Sequence, residues 1–238
     1  MSPVRDRLDP ADVERMFDRI AGPYDLMNTL MTAGLDRRWR AIAARECGVG
    51  RGATVLDACC GTGDLALELA RTVGRIGQVT GLDFSAVMRP GAARKTPGAG
   101  AATVQWVRGD ATAMPFADNA YAAATIAFGL RNLPDPEQGL RELARVVRPG
   151  GKVVCLEITR PAQGALKKFY SLCFDRGIPA LGKVLDRGGA YSYLPASVRR
   201  FPGPEQLGET FHRAGMTDVR YRLLAGGIVA LHVGEVVA

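Results

Sequence analysis

The stretch that most constrains this chain is a short apolar run ending in a carboxylate and a glycine-rich turn, VLDACCGTGD at residues 55–64. Such a run is typical of a buried strand whose carboxyl end delivers a loop to the edge of a parallel sheet. Gly61 and Gly63 allow positive φ angles and leave no Cβ between the backbone and a ligand. The apolar sequence after Asp64 predicts a helix whose N-terminus points at whatever lies over the loop. Gly61-x-Gly63-x-x-Ala66 also fits the dinucleotide fingerprint, so the first question is which nucleotide-like ligand is held.

Composition predicts a soluble globular protein of the reducing cytoplasm. The chain has 238 residues, of which 47% are hydrophobic and 23% charged, as in ordinary soluble domains. No run of 18 apolar residues predicts a membrane span, and the polar first 12 residues do not resemble a secretory signal. The five cysteines are odd in number and lack C-x-x-C spacing, which argues against a disulfide framework and against a zinc site. No metal ligands are predicted.

The net charge of +7 admits nucleic acid or an anionic membrane surface as a partner. The basic residues are mostly scattered arginines, without a dense run interleaved with aromatic residues. Nucleic acid is therefore disfavoured, and a solvated basic surface or a membrane face is preferred.

The pattern along the chain predicts one α/β domain, residues 1–238, built in four parts. A helical cap comes first, then a core that alternates strand and helix as a parallel sheet requires, then an apolar and basic helical insertion or lid, then a last helix and an antiparallel strand pair. These parts are 1–50, 53–160, 161–200 and 201–238, with strands at 54–58, 78–83, 104–107, 121–127, 152–158, 217–223 and 227–233.

Carboxylates follow three successive predicted strands. Asp57 ends the first, Asp83 ends the second, and Asp110 follows the third, so all three are expected at the sheet edge where ligands bind. Asp83 suits ribose hydroxyls, Asp57 could fix the loop or reach the amino group of a methionine moiety, and Asp110 could accept the exocyclic amine of an adenine. Three acids suit a cationic, amine-bearing ligand better than a pyrophosphate, which Asp64 would repel. The pattern favours S-adenosylmethionine over NAD.

Several motifs together resemble the UbiE/MenG family of menaquinone and ubiquinone biosynthesis C-methyltransferases, which have the class I S-adenosylmethionine methyltransferase fold. The resemblance covers nearly the whole chain from about residue 12, and its most specific parts are the fourth-strand and C-terminal motifs. The matching stretches are YDLMN at 24–28, VLD at 55–57, GTGD at 61–64, GLDFS at 81–85, GDA at 109–111, AFGLRN at 127–132, RVVRPGG at 145–151, YSYL at 191–194 and GGIVALH at 226–232.

This resemblance implies a Rossmann-like, seven-stranded, mostly parallel sheet with an antiparallel C-terminal hairpin and helices on both faces. It also implies that S-adenosylmethionine is the cofactor. The positions that match the cofactor-binding motifs are Asp57, Gly61, Thr62, Gly63, Asp83, Phe84, Asp110, Ala111 and Ala127.

The reaction implied by the resemblance is methyl transfer to a ring carbon of a prenylated hydroquinone. Ionising a ring phenol of pKa about 10 at pH 7 costs roughly 4 kcal/mol, and a cation in a dry pocket offsets part of that cost. Arg131 is the candidate cation, Asn132 would orient the oxygen or a water, and Tyr24 would close the pocket. Arg131 could instead pair with Glu142 or Asp135. His232 is expected to be structural, although it remains a candidate base.

The quinol tail gives the flanking segments a role. We expect the insertion around 162–187 to accept the tail and to form a transient peripheral contact on the inner face of the cell membrane, and the resemblance is compatible with a homodimer. The resemblance favours demethylmenaquinol as the acceptor and menaquinol as the product; the alternative acceptors are a 2-polyprenyl-6-methoxy-1,4-benzoquinol, another phenol, a sterol or a small amine. An NAD-dependent oxidoreductase and a binding module without catalysis are the remaining alternatives.

Overall fold

A computed structural model describes residues 34–85, 98–161 and 190–237, and the single positions 29, 32, 87, 92 and 95; for 190–194 it describes the backbone alone. Most of the predicted helical cap, with Tyr24, lies outside the described residues. So does the segment 162–189, with the predicted tail-accepting and membrane-facing lid.

The core is one seven-stranded sheet with the strand order β3-β2-β1-β4-β5-β7-β6. The first five strands along the chain pair in parallel, and β7 runs antiparallel to both β5 and β6. The predicted mostly parallel sheet with an antiparallel C-terminal hairpin is therefore confirmed. The strands are β1 Thr54–Ala58, β2 Gln78–Asp83, β3 Thr103–Arg108, β4 Tyr121–Ala127, β5 Val147–Ile158, β6 Met216–Leu224 and β7 Val229–Val236.

Helices cover both faces of the sheet, because successive strand residues point to opposite sides. Val55 and Val154 belong to the apolar cluster under the helices α1 (Leu35–Glu46) and α2 (Asp64–Val73). Leu56 and Val153, their neighbours, belong to the cluster under α3 and α5. The described helices are α1 Leu35–Glu46, α2 Asp64–Val73, α3 Pro136–Val146, α4 Ala190–Arg200 and α5 Pro204–Arg213. None of them is both long and apolar enough to cross a membrane.

The sheet differs from the prediction where β5 begins. The sequence Pro149-Gly150-Gly151 predicts a turn before a strand at Lys152, whereas β5 already starts at Val147. Tyr121 of β4 pairs with Val147, and Ala123 pairs with Lys152. A register irregularity therefore absorbs the glycines, and a Pro-Gly signal that usually ends a strand instead lies inside one.

The topology fixes where a ligand can bind. Strand β1 pairs with β2 on one side and with β4 on the other. From β1 the sheet continues through β2 and β3 in one direction and through β4 and β5 in the other, so the strand order reverses between β1 and β4. A crevice forms outside the carboxyl ends of strands at such a switch point. The glycine-rich loop at 59–63 follows β1 directly and lies at this crevice.

Candidate functional site

Three adjoining cavities form a cleft along the carboxyl ends of β1, β2 and β4. The space between their lining atoms is open to solvent and amounts to about 350, 500 and 530 Å³. Cys59 lines all three, and Gly61, Asp83, Phe128 and Asn132 each line two. We call them the first, second and third cavity, in order from the loop after β1 toward the loop after β3.

Asp83 holds the glycine loop in place. Its Oδ2 accepts a hydrogen bond from the backbone N–H of Gly61 at 2.7 Å, and its Oδ1 accepts one from the backbone N–H of Ser85 at 2.9 Å. The side chain is buried at the end of β2. Backbone N–H groups that donate to both oxygens of a carboxylate fix its orientation. One acid thereby couples the loops after β1 and β2.

The two glycines of the loop serve different purposes. Both have positive φ angles, 51° at Gly61 and 83° at Gly63. A Cβ on Gly63 would lie 2.4 Å from Cη2 of Trp106, whereas a Cβ on Gly61 would meet nothing within 4 Å. Gly63 is thus required for packing against β3, and Gly61 leaves its space open to the first and second cavities.

Asp57 presents a buried carboxylate to the first cavity. Its Oδ1 accepts a hydrogen bond from Oγ1 of Thr125 at 2.7 Å, and its buried Oδ2 has no hydrogen-bond partner. Burial raises the pKa of Asp57 to about 7, against the lowering effects of the Thr125 hydroxyl, of the Arg40 charge and of the nearby backbone N–H of Ala66. An orphaned buried carboxylate oxygen is costly, and a cationic ligand group is the partner that would satisfy it.

Arg40 lines the same cavity from α1 and was not predicted as a site residue. Its guanidinium donates from Nη1 to Oδ2 of buried Asp36 and lies 5.6 Å from the ring centroid of Phe128. The signal was the spacing of Asp36 and Arg40, one helical turn apart beside the apolar residue Trp39. A buried cation therefore faces the cleft next to Asp57.

The third cavity is bounded by the turn after β3. The Oδ1 atom of Asp110 accepts hydrogen bonds from the backbone N–H and from the hydroxyl of Thr112, both at 2.8 Å. Asp110 is exposed, while Ala111 beside it is buried. Phe84, Leu133 and other apolar groups complete the lining. Such a slot suits a flat aromatic ring with one polar edge.

Arg131 is held beneath the cleft by Glu157. Its Nη1 donates to Oε1 of Glu157 and to the carbonyl oxygen of Phe128, each at 2.5 Å, and its backbone N–H donates to Oε2 of Glu157 at 3.3 Å. The side chains of Arg131 and Glu157 are 7% and 1% exposed, and Nε of Arg131 is buried without a partner. The candidate cation is thus neutralised by a carboxylate on β5.

The alternative pairing of Arg131 with Glu142 or Asp135 is wrong. Glu142 binds the guanidinium of Arg145, and Asp135 caps α3 by accepting from the backbone N–H of Gln138 at 3.0 Å. Glu157 was missed as a site residue, although it is a carboxylate at the carboxyl end of a buried strand. The same signal identified Asp57 and Asp83.

Asn132 lines the second and third cavities. Its Nδ2 donates to the carbonyl oxygen of Phe128 at 3.2 Å. Phe128 itself has a positive φ of 57°, as does Cys59 at 52°, and a Cβ on Gly129 would lie 2.4 Å from Cβ of Cys59. The loops after β1 and β4 therefore meet closely at the cleft, with uncommon backbone conformations of the kind that cluster at functional sites.

The cleft brings most of the sequence-predicted residues together. Gly63 and Arg131 line none of the three cavities, and Tyr24 lies outside the described residues. Those that line the cleft are Asp57, Gly61, Thr62, Asp83, Phe84, Asp110, Ala111, Ala127 and Asn132.

Other candidate groups are accounted for elsewhere. Asp64, at the first cavity, forms an ion pair with Lys95 at 2.5 Å, so its charge repels an anionic ligand less than its sequence position predicts. His232 is fully buried in β7, where Nε2 donates to the carbonyl oxygen of Pro204 at 2.8 Å. It lines none of the three cavities. Within the described ranges, no cluster of three or more metal-binding side chains occurs.

The thiols at the cleft are held protonated. Burial raises the pKa of Cys59 and Cys60 well above the usual range, and the neighbouring carboxylates raise it further. A thiol is a poor nucleophile because the thiolate is the reactive form. These cysteines therefore act in packing rather than as thiolate nucleophiles.

Comparison with known proteins gives relatives that match nearly the whole chain. The ubiE/COQ5 methyltransferase family matches residues 5–236. A demethylmenaquinone methyltransferase of Desulfitobacterium hafniense is 46% identical over 227 residues, covering 94% of this chain and 90% of the relative. A demethylmenaquinone methyltransferase of Staphylococcus aureus is 41% identical over 223 residues, covering 93% and 92%.

Solved structures share the fold at low sequence identity. A methyltransferase from Haloferax volcanii, solved in complex with the Trm112 methyltransferase activator, superposes with a TM-score of 0.68 at 21% identity, covering 95% of this chain and 98% of the other. A SAM-dependent methyltransferase from Aquifex aeolicus superposes with a TM-score of 0.60 at 20% identity, covering 97% and 100%. The fold is therefore one that methyltransferases use.

Proposed function

The chain belongs to the ubiE/COQ5 methyltransferase family, and on this premise we propose that it transfers a methyl group from S-adenosylmethionine to a ring carbon of demethylmenaquinol, giving menaquinol. The observation that carries the proposal is the orphaned, buried Oδ2 of Asp57 beside an open glycine loop, in a relative of demethylmenaquinone methyltransferases. The second candidate for the acceptor is a polyprenyl benzoquinol, because the family that the sequence resembles also contains C-methyltransferases of ubiquinone biosynthesis.

The cavities, taken in order along the cleft, match the amino acid end, the ribose and the adenine of S-adenosylmethionine. The charged first cavity, with Asp57, would hold the amino acid end, whose ammonium meets the unpartnered carboxylate oxygen. Asp83, between the second and third cavities, would hold the ribose hydroxyls, and the apolar third cavity with Asp110 at its rim would hold the adenine. When bound, the cofactor supplies an electrophilic methyl group on a positively charged sulfur.

The residues after β4 would act on the acceptor. Ring methylation forms a carbon–carbon bond, breaks a carbon–sulfur bond and releases the proton of the ring carbon, and it needs electron density from an ionised neighbouring hydroxyl. Asn132 faces the cavities and would orient that oxygen. Arg131 lies one residue earlier, and the Glu157 carboxylate fixes its guanidinium. Because the Arg131 side chain lines none of the cavities, we propose that its ion pair with Glu157 holds the turn that presents Asn132 to the acceptor.

The test is a methyl-transfer assay on the purified protein with S-adenosylmethionine and two reduced acceptors, a demethylmenaquinol and a 2-polyprenyl-6-methoxy-1,4-benzoquinol. We expect mass spectrometry to find the naphthoquinol heavier by one methyl group on carbon and the benzoquinol unchanged. Cells lacking the protein should accumulate a quinone one methyl group short. Unchanged cellular quinones would refute the proposal, and methylation of the benzoquinol alone would move it to the ubiquinone reaction.

Membrane contact and dimer formation stay predictions. The acceptor carries a polyprenyl tail that stays in the bilayer at about 0.8 kcal/mol per buried CH₂, so we propose that the protein meets its substrate at an anionic membrane surface. Co-sedimentation with vesicles should weaken when Lys167, Lys168 and Arg176 are reversed in charge. Co-sedimentation that these charge reversals leave unchanged would refute the proposed membrane contact.

A further inference from the structure

Phe128 is the one aromatic residue, among those that the structure describes, that lines both the first and the second cavity. It lies in the fourth-strand motif at 127–132, in which Ala127, Arg131 and Asn132 have predicted roles and Phe128 has none. The residue is only half-buried. An aromatic ring that is left partly open at a cleft is available for contact with a ligand.

The backbone of Phe128 is fixed in an uncommon conformation. Its φ angle is 57°, which a bulky residue seldom adopts. Its N–H donates to the carbonyl oxygen of Leu156 at 2.8 Å. Its own carbonyl oxygen accepts from Nη1 of Arg131 at 2.5 Å and from Nδ2 of Asn132 at 3.2 Å. Such conformations persist where the surrounding contacts determine them, and they cluster at binding sites.

The ring is also held from α1. The Arg40 guanidinium lies over the Phe128 ring, 5.6 Å from its centroid, within the distance at which a cation is attracted to an aromatic face. Arg40 lines the first cavity but not the second, whereas Phe128 lines both. Phe128 therefore presents surface to the second cavity that it does not share with Arg40.

The second cavity has two walls of different origin. One wall comes from the end of β2 and the loop after it, and the other comes from the end of β4 and the turn after it. The β2 wall consists of Asp83, Phe84 and Ser85, and the β4 wall of Ala127, Phe128, Gly129, Asn132 and Leu133. In the proposed function the β2 wall takes the ribose of the donor, which leaves the β4 wall for the acceptor.

We propose that Phe128 determines acceptor specificity, because its ring stacks on the aromatic ring of the acceptor at the β4 wall. Asn132, which is hydrogen-bonded to the carbonyl oxygen of Phe128, then lies beside the stacked ring and contacts its hydroxyl group. Ring position and hydroxyl orientation are thereby set by one turn of the chain. Aromatic pairs prefer such offset stacking, which adds to the gain from burying apolar area.

The consequence is a preference for a bicyclic acceptor. Two fused rings bury more apolar area against Phe128 and its neighbours than one ring does. The inference deepens the proposed function and rests on it, since the favoured acceptor class is then the naphthoquinols rather than the benzoquinols.

The test is titration calorimetry of the full chain saturated with S-adenosylhomocysteine, which has no methyl group to transfer, so that no turnover occurs. The probes are 1,4-dihydroxynaphthalene and 1,4-dihydroxybenzene, kept reduced without oxygen. We expect the wild type to bind the bicyclic probe more tightly and Phe128→Leu to narrow that gap about 2- to 10-fold. Phe128→Tyr keeps the ring and should keep the gap.

The matched control is Phe84→Leu, because Phe84 lines the same cavity from the β2 wall. We expect this variant to weaken the binding of S-adenosylhomocysteine and to leave the ratio of the two probe affinities as in the wild type. If Phe84→Leu narrows the gap as much as Phe128→Leu does, selectivity belongs to the apolar lining in general and the inference fails.

The outcomes separate the inference from the proposed function. Phe128 also packs against the apolar cluster under α1 and α2. Equal weakening of both probes by Phe128→Leu would make that packing its only role and overturn the inference, while binding of S-adenosylhomocysteine would still support the proposed donor. A folded wild type that does not bind S-adenosylhomocysteine would refute the proposed donor and the inference with it.

Circular dichroism checks the folding of each variant. Phe128→Met keeps a large apolar side chain without a ring, and it repeats the test if Phe128→Leu unfolds. We expect it to narrow the gap between the probes by the same factor as Phe128→Leu. A Phe128→Met variant that keeps the wild-type gap would show that no aromatic ring is needed at this position and would overturn the inference.

Discussion

Glu157 and Arg131 form a buried ion pair under the edge of the sheet at which the ligand cleft lies. Both oxygens of the carboxylate are used, because Oε1 accepts from Nη1 of Arg131 and Oε2 accepts from the backbone N–H of Arg131. The pair joins the end of β5 to the turn after β4. It therefore fixes the conformation of a turn that carries Asn132 into the cleft.

Replacing Glu157 with Gln should destabilise the protein strongly. The variant leaves a guanidinium that is 7% exposed without its counter-charge, and breaking a buried pair in this way costs about 3–5 kcal/mol. Urea denaturation followed by circular dichroism measures this loss in the free energy of unfolding. A loss below about 1 kcal/mol would mean that solvent already compensates the Arg131 charge.

The matched control is Asp118→Asn. Asp118 also pairs with an arginine, Arg145, at 2.6 Å, but its side chain is 69% exposed. An exposed pair of this kind contributes about 0–1 kcal/mol, so the control should unfold at nearly the wild-type urea concentration. The contrast between the two variants tests burial, since both remove one carboxylate charge from a carboxylate–arginine pair.

Much of the fold could be predicted from hydrophobic patterning and turn residues. The bounds of β1, β2 and β4 match the prediction residue for residue, because each is a short apolar run between polar or glycine-containing turns. The start of strand β5 could not be predicted, since its irregular pairing with β4 depends on where Tyr121 and Val147 meet. Tyr121 and Val147 are 26 positions apart in the sequence, so no local sequence pattern predicts that they pair.

The site was predictable only where one residue sufficed. A carboxylate at a strand end is visible in the sequence, so Asp57, Asp83 and Asp110 were found. Glu157 carries the same strand-end signal, but its partner Arg131 is known only from the structure. Arg40 shows only its helical spacing from Asp36 in the sequence, and its position at the cleft depends on how α1 packs on the core.

Gly63→Ala should mainly reduce the stability of the fold, whereas Gly61→Ala should mainly reduce ligand binding. At Gly63 the new Cβ would lie 2.4 Å from Trp106, so overpacking adds to the left-handed backbone cost and the loss of stability should be about 2–5 kcal/mol. At Gly61 the Cβ has open space, and only about 1–2 kcal/mol is expected.

The Gly61 variant should instead bind the ligand more weakly, because its Cβ projects into the cavities in which we propose that the cofactor binds. Urea denaturation and S-adenosylmethionine titration are measured on both variants. We expect Gly61→Ala to remain folded and to bind at least about tenfold more weakly than the wild type. A Gly61→Ala variant that binds normally, or that unfolds more readily than Gly63→Ala, would contradict this division of roles.

Cofactor binding should release a proton from Asp57. The free carboxyl has a pKa of about 7, and a bound ammonium would lower that pKa because it stabilises the charged form. The affinity for S-adenosylmethionine is then at its maximum above pH 7. It falls as the pH drops through 7, and the loss approaches about tenfold per pH unit. Calorimetry at pH 7 in buffers of different ionisation enthalpy should find about half a proton released.

Two controls define this prediction. Asp57→Asn should bind without proton release, since the group that titrates is gone. The analogue 5′-methylthioadenosine lacks the ammonium and should release no proton from the wild type. Equal proton release with both ligands would assign the titration to a group outside the amino acid end of the site.

His232 should make the protein sensitive to mild acid. The ring is fully buried, stacked near Phe211 and Tyr221 at centroid distances of 5.8 and 5.3 Å. Burial lowers the pKa of His232 below its usual value of 6.5, so the unfolded chain binds a proton that the fold resists. The contribution of neutral His232 to the free energy of unfolding is fully present above about pH 6.5. Below that pH it is lost, by up to about 1.4 kcal/mol per pH unit.

The test compares His232→Gln with His212→Gln, the only other histidine in the chain. Gln at 232 places an amide N–H close to where the ring Nε2 donates to Pro204 and cannot titrate, so its unfolding free energy should depend less on pH between 5 and 7. His212 is exposed, and its variant should keep the wild-type slope. Were the two slopes equal, acid sensitivity would have to come from the carboxylates, since the buried ring would then take up its proton as readily in the fold as in the unfolded chain.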